Sequence, residues 1–397
     1  MTLEGKHIVL GLSGGIACYK AAELARGLVK AGARVQVVMT ASAQQFITPV
    51  TMQALSGRPV FSSQWDSRIS NHMAHIDLTR EADAIVIAPC SADFMRKLVH
   101  GAADDLLSAL CLARPATLPL LIAPAMNVEM WENPATQRNV AQLRQDGVRL
   151  LGPVAGDQAC GETGLGRMME PESLLASLAT FFYPKHLIGK NILVTAGPTF
   201  EPIDPVRGIT NLSSGKMGYA IARAAAMAGA NVTLVSGPTA LTPPSGVTTV
   251  AVTTARQMYD AVMACVGDKD VFIAVAAVAD WQVTDVSAQK IKKQDAGTPS
   301  LSFKLNPDIL AAVAALPSPP YCVGFAAESE NLLDYGAAKR VKKNIPLLVG
   351  NIGHQTFGKD DNELVLFDAQ GQYPLPRASK DQLADRLILE IAKRLTA

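Results

Sequence analysis

The sequence predicts an α/β protein of two tandem, Rossmann-like, three-layer domains. The first observation is local. Residues 7–20, HIVLGLSGGIACYK, read as an apolar strand, a glycine turn and a helix, followed by Ala31-Gly32-Ala33 and a second strand, VQVVMT. The second is that this grammar returns near the midpoint. NILVTAGPT is a strand and turn, NLSSGKMG opens an Ala-rich helix, and Ala228-Gly229-Ala230 leads into VTLVSG. Strand, glycine loop and helix together offer backbone N–H groups to an anion. The third is size. A chain of 397 residues, 49% hydrophobic and 18% charged, has enough apolar content for two buried cores. Residues 183–190, YPKHLIGK, read as the linker, so the expected domains are 1–189 and 190–397.

Composition excludes several classes. A formal net charge of +1 gives no footprint for nucleic acid or for an anionic membrane surface. No apolar run reaches the ~18 residues of a spanning helix. The N-terminus, MTLEGKHIVL, enters a strand directly and lacks a signal-peptide layout. Cysteines 18, 90, 111, 160, 265 and 322 are scattered, without a C-x-x-C pair. Free thiols in a reducing cytosol fit that pattern, so a cytoplasmic location is expected.

In the first half, residues 7–12 form a buried-type strand and Ser13-Gly14-Gly15 its turn. Helix 16–31 follows, with Ile16, Leu24 and Leu28 as its apolar positions. Strand 34–40 ends at Met39-Thr40-Ala41-Ser42, where a dinucleotide fold wants an acidic residue for a ribose hydroxyl. This chain has hydroxyls there, and its turn is G-x-S-G-G, not G-x-G-x-x-G. A phosphate or ribityl chain suits it better than NAD, although tight-turn packing is the plain reading of a lone glycine loop. Strand 84–89 leads to Cys90-Ser91-Ala92-Asp93 and a helix, and strand 119–124 leads to Ala125-Met126-Asn127. These loops follow carboxyl ends of parallel-type strands, where open α/β sheets place ligands. Residues 152–168, GPVAGDQACGETGLGRM, hold five glycines and no strand or helix period. They read as a long functional or mobile loop.

In the second half, the apolar run Ile192–Thr195 ends in Gly197-Pro198. The loop 208–218 is not a Walker A motif. Six residues separate Gly208 from Gly215, and Met217 stands where a magnesium-binding Ser or Thr belongs. Strand 271–277 ends in Val278-Ala279-Asp280. Lys290-Ile291-Lys292-Lys293 precedes a polar stretch read as a mobile loop, and Asn306-Pro307-Asp308-Ile309 starts a helix. Strand 321–326 runs to Phe325-Ala326-Ala327-Glu328. Helix 331–343 carries Lys339 and Lys343 one turn apart, and strand 346–350 ends in Gly350-Asn351. Residues 363–367 read as an edge strand and 379–395 as a closing amphipathic helix.

Several side chains admit both a plain and a chemical reading. His75 in HMAHIDL is a surface histidine or a base; paired with His72 it lacks the third ligand of a metal site. Asn127 is a helix cap or a substrate ligand. Cys160 is a small hydrophobe or a proton donor, and a polar glycine-rich loop is a poor place to bury it. KIKK and the Lys339/Lys343 pair are solvated charges or phosphate ligands. Their clustering near strand-end loops of a nearly neutral chain fits a phosphate-bearing substrate.

G-x-S-G-G-I-A, a histidine before I-D-L, P-A-M-N-x-x-M-W and A-C-G-E-x-G-x-G-R-M, in that order, resemble the flavin-dependent cysteine decarboxylases. T-A-G-P-T, N-x-S-S-G-K-M-G, A-A-V-A-D, K-I-K-K, N-P-D-I and G-F-A-A-E extend the likeness. The whole chain is similar to the bifunctional phosphopantothenoylcysteine decarboxylase / phosphopantothenate–cysteine ligase family of bacterial coenzyme A synthesis. The resemblance implies a flavoprotein-type domain followed by a ligase domain. It implies FMN and Mg2+, CTP as nucleotide substrate, 4′-phosphopantothenate and cysteine as small-molecule substrates, and a homo-oligomer with flavin sites between subunits. Asp93 stands where many such flavoproteins have Asn, and no role is carried to it.

In the decarboxylase half, direct CO2 loss from an N-acylated cysteine would leave an unstabilised carbanion. Oxidising the thiol carbon to a thioaldehyde places C=S β to the carboxylate, and flavin is the hydride acceptor such a step needs. By resemblance, Ser13, Gly14, Ser42 and Ser91 line the FMN phosphate and ribityl chain. His75 acts as base or positioning group, a role that histidine suits near neutral pH. Asn127 holds the substrate carboxylate through neutral hydrogen bonds, since a cation would oppose its loss. Cys160 supplies a proton as the enethiolate is reduced. In the ligase half, Asn211 orients an acyl-cytidylate and Lys290 closes over it. Asp280, Phe325, Lys339 and Lys343 hold CTP, and Asn306, Pro307, Asp308 and Ile309 complete the nucleotide site. The magnesium ligands are not identified. A reductase using NADPH and a flavin-binding regulatory subunit are the competing readings. The first predicts bound nicotinamide and no yellow colour, the second FMN without turnover.

Overall fold

Apolar runs such as IVLGL and AIVIAP are long enough for strands and too evenly apolar for a solvated face, so they must be covered on both sides. The computed structural model describes residues 3–66, 68, 73–159, 161–292, 300–328, 332–352 and 358–396. The chain divides into two units, Met1–Phe182 and Tyr183–Ala397. The division precedes the expected 189/190 boundary because Leu187, read as linker, is buried in the second unit's core.

The first unit runs β1 (His7–Leu12), α1 (Cys18–Lys30), β2 (Arg34–Met39), α2 (Pro49–Ser56), α3 (Ala74–Arg80), β3 (Ala84–Cys90), α4 (Ala92–Val99), α5 (Leu106–Leu112), β4 (Leu120–Pro124), α6 (Val128–Glu132), α7 (Pro134–Gln145) and β5 (Arg149–Leu150). The hairpin strands β6 (Val154–Asp157) and β7 (Thr163–Arg167) and helix α8 (Pro171–Phe182) follow. Strands β1–β5 form a parallel sheet in the order β2-β1-β3-β4-β5, which places a topological switch between β1 and β3. Alternation along β1 separates the two cores. Ile8, Leu10 and Leu12 face α1 and α8 through Leu24, Leu28, Leu174 and Leu178. Val9 faces α4, α5 and α7 through Phe94, Leu107, Leu110 and Leu143. Burying each such side chain stabilises by about 1.5–3 kcal/mol, an upper estimate because the unfolded chain is not fully extended.

Two expectations are corrected here. Ile16 lies before the first turn of α1 and is exposed, so Leu24 and Leu28 carry the buried face without it. Residues 152–168 are not an irregular loop. They contain the antiparallel β6–β7 hairpin, whose β7 packs on the chain leading into α6.

The second unit runs β8 (Asn191–Ala196), β9 (Phe200–Asp204), β10 (Arg207–Thr210), α9 (Lys216–Met227), β11 (Asn231–Ser236), β12 (Val247–Ala251), α10 (Ala255–Cys265), β13 (Val271–Ala274), β14 (Trp281–Val283), β15 (Phe303–Leu305) and α11 (Ile309–Ala314). It continues with β16 (Tyr321–Glu328), α12 (Leu332–Lys343), β17 (Leu347–Ile352), β18 (Asp361–Phe367), β19 (Gln372–Ser379) and the C-terminal helix Lys380–Thr396. The sheet order is β12-β11-β8-β13-β16-β17-β18-β19. The first six strands are parallel in the doubly wound order, with the switch between β8 and β13, and the last two are antiparallel. Residues 363–367, expected at the edge, lie within β18, and β19 pairs outside them. Helix α9 and the C-terminal helix cover one face with Ile221, Leu383 and Leu387, and α10 and α11 cover the other with Met258, Val262 and Val313. Among the described residues no helix is long and apolar enough to cross a membrane.

Candidate functional site

In the first unit, the carboxyl ends of β1, β2 and β3 meet at the switch. Ser13 is buried there. Its hydroxyl donates to the Pro89 carbonyl oxygen at 2.9 Å and accepts from the Ser91 N–H at 2.8 Å. The hydroxyl expected to face a cofactor is thus engaged as a clasp between the β1 and β3 loops. Gly14 lies against Ser42, where an added Cβ would come within 2.6 Å of the Ser42 Cβ. Ser42 itself is exposed and its hydroxyl does not cap the short helical turn it begins. The Ser91 hydroxyl accepts from the Phe94 N–H at 3.2 Å and caps α4. Gly15 borders open space, with no atom within 4 Å of an ideal Cβ. Among the described residues, the N–H groups of Gly14 to Ala17 make no backbone hydrogen bond. An open glycine turn with free amides at a switch point fits a phosphate-bearing cofactor.

Asn127 caps α6. Its Oδ1 accepts from the Glu129 N–H at 2.8 Å and the Met130 N–H at 3.2 Å, while its Nδ2 donates to Glu162 on the hairpin. The plain reading of Asn127 is therefore realised, and its remaining amide hydrogens already hold a carboxylate. The hairpin is docked on this segment through three further contacts. The Met126 N–H donates to the Gly166 carbonyl at 2.9 Å, the Val128 N–H donates to Gln158 Oε1 at 2.9 Å, and Gly164 leaves room for Val128. Cys160 lies between β6 and β7 in sequence but outside the described residues, as does His72. His75 sits half-buried on α3, which packs against α5; no hydrogen bond of the described residues joins it to Asn127 or to the serines.

The second unit holds a cavity of about 680 Å³ at the β8/β13 switch, within the range of ligand pockets. Thr195 closes β8, and its hydroxyl accepts from the Ala276 N–H at 3.3 Å, which shapes the A-A-V-A-D segment. The Thr199 hydroxyl does the same for the Ala279 N–H at 3.0 Å. On one wall, Asn306 donates its amide to the Ala279 carbonyl at 2.8 Å and its N–H to the Asp280 carbonyl at 2.9 Å. Asp308 caps α11 and pairs with Lys343 from α12. Burial pushes the Lys343 ammonium down, with Asp280 partly opposing it. Pro307, Ile309, Phe325 and Lys339 line the same cavity, as do Asn211, Ser213 and Ser214.

The structure thus gathers Asn211, Asp280, Asn306, Pro307, Asp308, Ile309, Phe325, Lys339 and Lys343 around one cavity. Lys290 is not part of its lining. It is exposed, and the adjoining Ile291 is tied to the β9–β10 hairpin: its N–H donates to Asp204 at 3.2 Å and its carbonyl accepts from Arg207 at 2.8 Å. Arg207 holds the Asp204 carboxyl well below the usual range, so that anchor is a full ion pair. Lys293 lies outside the described residues. Sequence reasoning missed Lys216, Lys380 and Asn351, which also line the cavity. Lys216 stood in the N-x-S-S-G-K-M-G motif and its position at a helix start was the available signal; nothing local marks Lys380.

The two units match separate families. Residues 1–182 match the flavoprotein family, and residues 187–395 match the DNA/pantothenate metabolism flavoprotein C-terminal domain. Fold, switch-point geometry and these matches define a flavoprotein domain joined to a pantothenate-metabolism domain. The chain is 50% identical over 392 residues to the coenzyme A biosynthesis bifunctional protein CoaBC of Vibrio cholerae, covering 98% of both chains. It is 48% identical over 404 residues to CoaBC of Escherichia coli, covering 99% of this chain and 98% of that one. A crystal structure of the C-terminal domain of a CoaBC protein, 38% identical, covers 53% of this chain and 98% of its own, with a TM-score of 0.47. The chain belongs to the CoaBC family of bifunctional coenzyme A biosynthesis proteins.

Proposed function

We propose that the second unit joins 4′-phosphopantothenate to cysteine through an acyl-cytidylate, and that the first unit decarboxylates the resulting 4′-phosphopantothenoylcysteine to 4′-phosphopantetheine. The observation that carries the reading is the second unit's cavity, where lysines, an amide cluster and a helix start surround a space of nucleotide size at a switch point.

For ligation, the substrate carboxylate attacks the α-phosphorus of CTP, and the bond to the β-phosphate oxygen breaks to release diphosphate. The cysteine amine then attacks the acyl carbon, CMP leaves and the amine proton is lost. Lys339 and Lys343 neutralise phosphate charge. Asp280, Phe325 and Asn306–Ile309 position the nucleotide, Asn211 orients the acyl-cytidylate, and Lys290 reaches over it. Positioning and charge stabilisation are what such a transfer asks of the protein. Mg2+ supplies further neutralisation. Among the described residues no group of three His, Cys, Asp or Glu side chains is placed to hold a metal.

For decarboxylation, FMN, when bound, would supply the reversible two-electron chemistry that a reaction with zero net redox change needs. Gly14, Ser42 and the amides before α1 bind its phosphate and ribityl chain, with Ser13 and Ser91 clasping the loops that present them. Asn127 holds the substrate carboxylate, as it now holds that of Glu162. His75 positions or deprotonates the thiol, and Cys160 returns a proton to the enethiolate. We place the enzyme in the cytoplasm as a homo-oligomer with flavin sites between subunits.

The test is direct. Purified protein should be yellow, and should release diphosphate over many turnovers only when CTP, 4′-phosphopantothenate and cysteine are all present, with at most a single turnover in the absence of cysteine. Cys160→Ala should stop at the oxidised enethiol. A colourless preparation that does not take up FMN, or diphosphate release without cysteine dependence of product formation, would refute the reading.

A further inference from the structure

Asn362 on β18 lines the nucleotide-sized cavity, yet it is only 4% exposed. It sits where the β18–β19 register shifts, and such a bulge re-aims a side chain out of the regular alternation. Its Oδ1 accepts from the Glu363 N–H at 2.8 Å. A backbone N–H can only donate, so this bond decides which arm of the amide is oxygen and leaves the other as Nδ2. That Nδ2 makes no hydrogen bond among the described residues. A shielded donor is costly to leave without an acceptor, and a ligand in the cavity supplies one. The neighbouring carboxylates do not take it. Asp360 pairs with Lys216 at 2.6 Å, and Asp361 pairs with Arg377 at 2.9 Å. The same cavity is lined by Gly215, Lys216 and Met217 at the start of α9. No side chain caps that helix, and the Lys216 and Met217 N–H groups make no hydrogen bond among the described residues. An uncapped helix start draws negatively charged oxygens.

We propose that Asn362 is a specificity-determining residue of the ligation site, its Nδ2 donating to a phosphoryl oxygen of a substrate held at the start of α9. The ligand class is a phosphate ester or anhydride. CTP and 4′-phosphopantothenate each carry one, whereas cysteine carries none. The proposal rests on the ligation reading above and deepens it by naming a neutral donor that selects for phosphorylated substrates. A phosphoryl group spreads its charge over several oxygens, so one oxygen takes the amide while another takes the helix N–H groups. The Glu363 N–H holds the amide in place, so the donor is preorganised and little side-chain freedom is lost on binding.

Steady-state diphosphate release by the full-length enzyme tests this, with KM measured in turn for CTP, 4′-phosphopantothenate and cysteine. Asn362→Asp keeps an acceptor for the Glu363 N–H but sets a carboxylate where the donor stood. It should raise KM for at least one phosphorylated substrate about tenfold or more, with kcat within about threefold and KM for cysteine within about twofold. Asn362→Leu loses donor and acceptor without adding charge, and should raise the same KM by a smaller factor, about threefold to fivefold. The substrate whose KM moves identifies the source of the phosphoryl group. A merely structural amide predicts the reverse order, since aspartate preserves the Glu363 contact and leucine does not. Leucine worse than aspartate, a parallel rise for cysteine, or no change beyond about twofold for either phosphorylated substrate would overturn the assignment. If the added carboxylate unfolds the unit, Asn362→Leu decides through the same split between phosphorylated substrates and cysteine. A wild-type enzyme that releases no diphosphate would instead remove the ligation reading. Calorimetric binding of CTP and 4′-phosphopantothenate to wild type and Asn362→Asp then tests the amide alone: weaker binding by the variant upholds it, and equal affinities overturn it.

Discussion

Replacing Gly166 by alanine separates the docking of the hairpin from the stability of the fold beneath it. Gly166 has φ +135°, and an added Cβ would lie 2.4 Å from the Met126 carbonyl oxygen and 3.3 Å from that of Asn127. Both neighbours are backbone and cannot swing aside. Keeping β7 in place would cost about 1–3 kcal/mol of backbone strain and a further ~1–3 kcal/mol of overlap. Lifting the hairpin instead gives up the Met126–Gly166 and Val128–Gln158 hydrogen bonds and the Asn127–Glu162 contact. At about 0.5–1.5 kcal/mol each, these sum to roughly 1.5–4.5 kcal/mol. Strain and overlap add to roughly 2–6 kcal/mol before any other adjustment, so lifting is the less costly response at the middle of both ranges. The hairpin is a sheet of its own and the two cores of the first unit do not depend on it. Gly166→Ala should therefore leave the melting temperature within a few degrees. Displacing the segment that carries Asn127's partner by about 1 Å should slow decarboxylation on the order of 10²-fold. The assay pairs thiol-product formation from 4′-phosphopantothenoylcysteine with a thermal melt and with diphosphate release by the ligase. Wild-type decarboxylation would refute the role given to hairpin docking. Collapse of the melt would refute the separation of hairpin from core.

Lys290→Gln should abolish acyl-cytidylate accumulation, followed as CTP-dependent diphosphate release, while decarboxylation of supplied 4′-phosphopantothenoylcysteine continues. Loss of both activities would count against their division between units. His7 is buried with its Nε2 unpartnered among the described residues, and burial first, then Arg34 and Arg58, hold its pKa below the ordinary value. The unfolded chain then binds the proton first as pH falls, so His7's contribution to stability is complete above about pH 6.5 and is lost below it. Melting of the first unit should fall between pH 7.5 and pH 5.5, and His7→Gln should flatten that dependence. Gly218 lets α9 approach β8, since a Cβ there would come within 2.5 Å of Ala196 Cβ and 3.1 Å of its Cα. Gly218→Ala should destabilise the second unit by about 1–2 kcal/mol in denaturant titration, the overlap outweighing a helix-propensity gain of up to ~1 kcal/mol.

Much of the fold was legible because parallel strands covered on both faces leave continuous apolar runs, as in β1, β3 and β8. The Rossmann-like α/β layering follows from those runs and from the glycine turns between strand and helix. The β6–β7 hairpin was illegible for a physical reason. Gly156, Gly164 and Gly166 occupy strand positions where side chains would have alternated, and they are glycine because neighbouring backbone or side chains fill the Cβ space. Strand β19 was missed because it is mostly exposed and carries Pro374 and Pro376, so neither hydrophobic alternation nor β-propensity marks it. At the sites, motifs at strand ends pointed to residues that the second unit does gather around one cavity. They could not show that Ser13 is engaged by Pro89 and Ser91, which are remote in sequence. Lys380 escaped because its neighbourhood with Lys216 is created by the packing of α9 on the C-terminal helix, not by any spacing along the chain.

That late lysine has a bearing on how the protein is born. At translation speeds of about 5–20 residues per second, roughly 200 residues between Phe182 and Lys380 take on the order of 10–40 s to emerge. The flavoprotein unit can close its sheet early in that interval, whereas the wall bearing Lys380 arrives almost last. A ribosome stalled before that codon would present a finished decarboxylase fold tethered to a ligase that still lacks one side of its chamber.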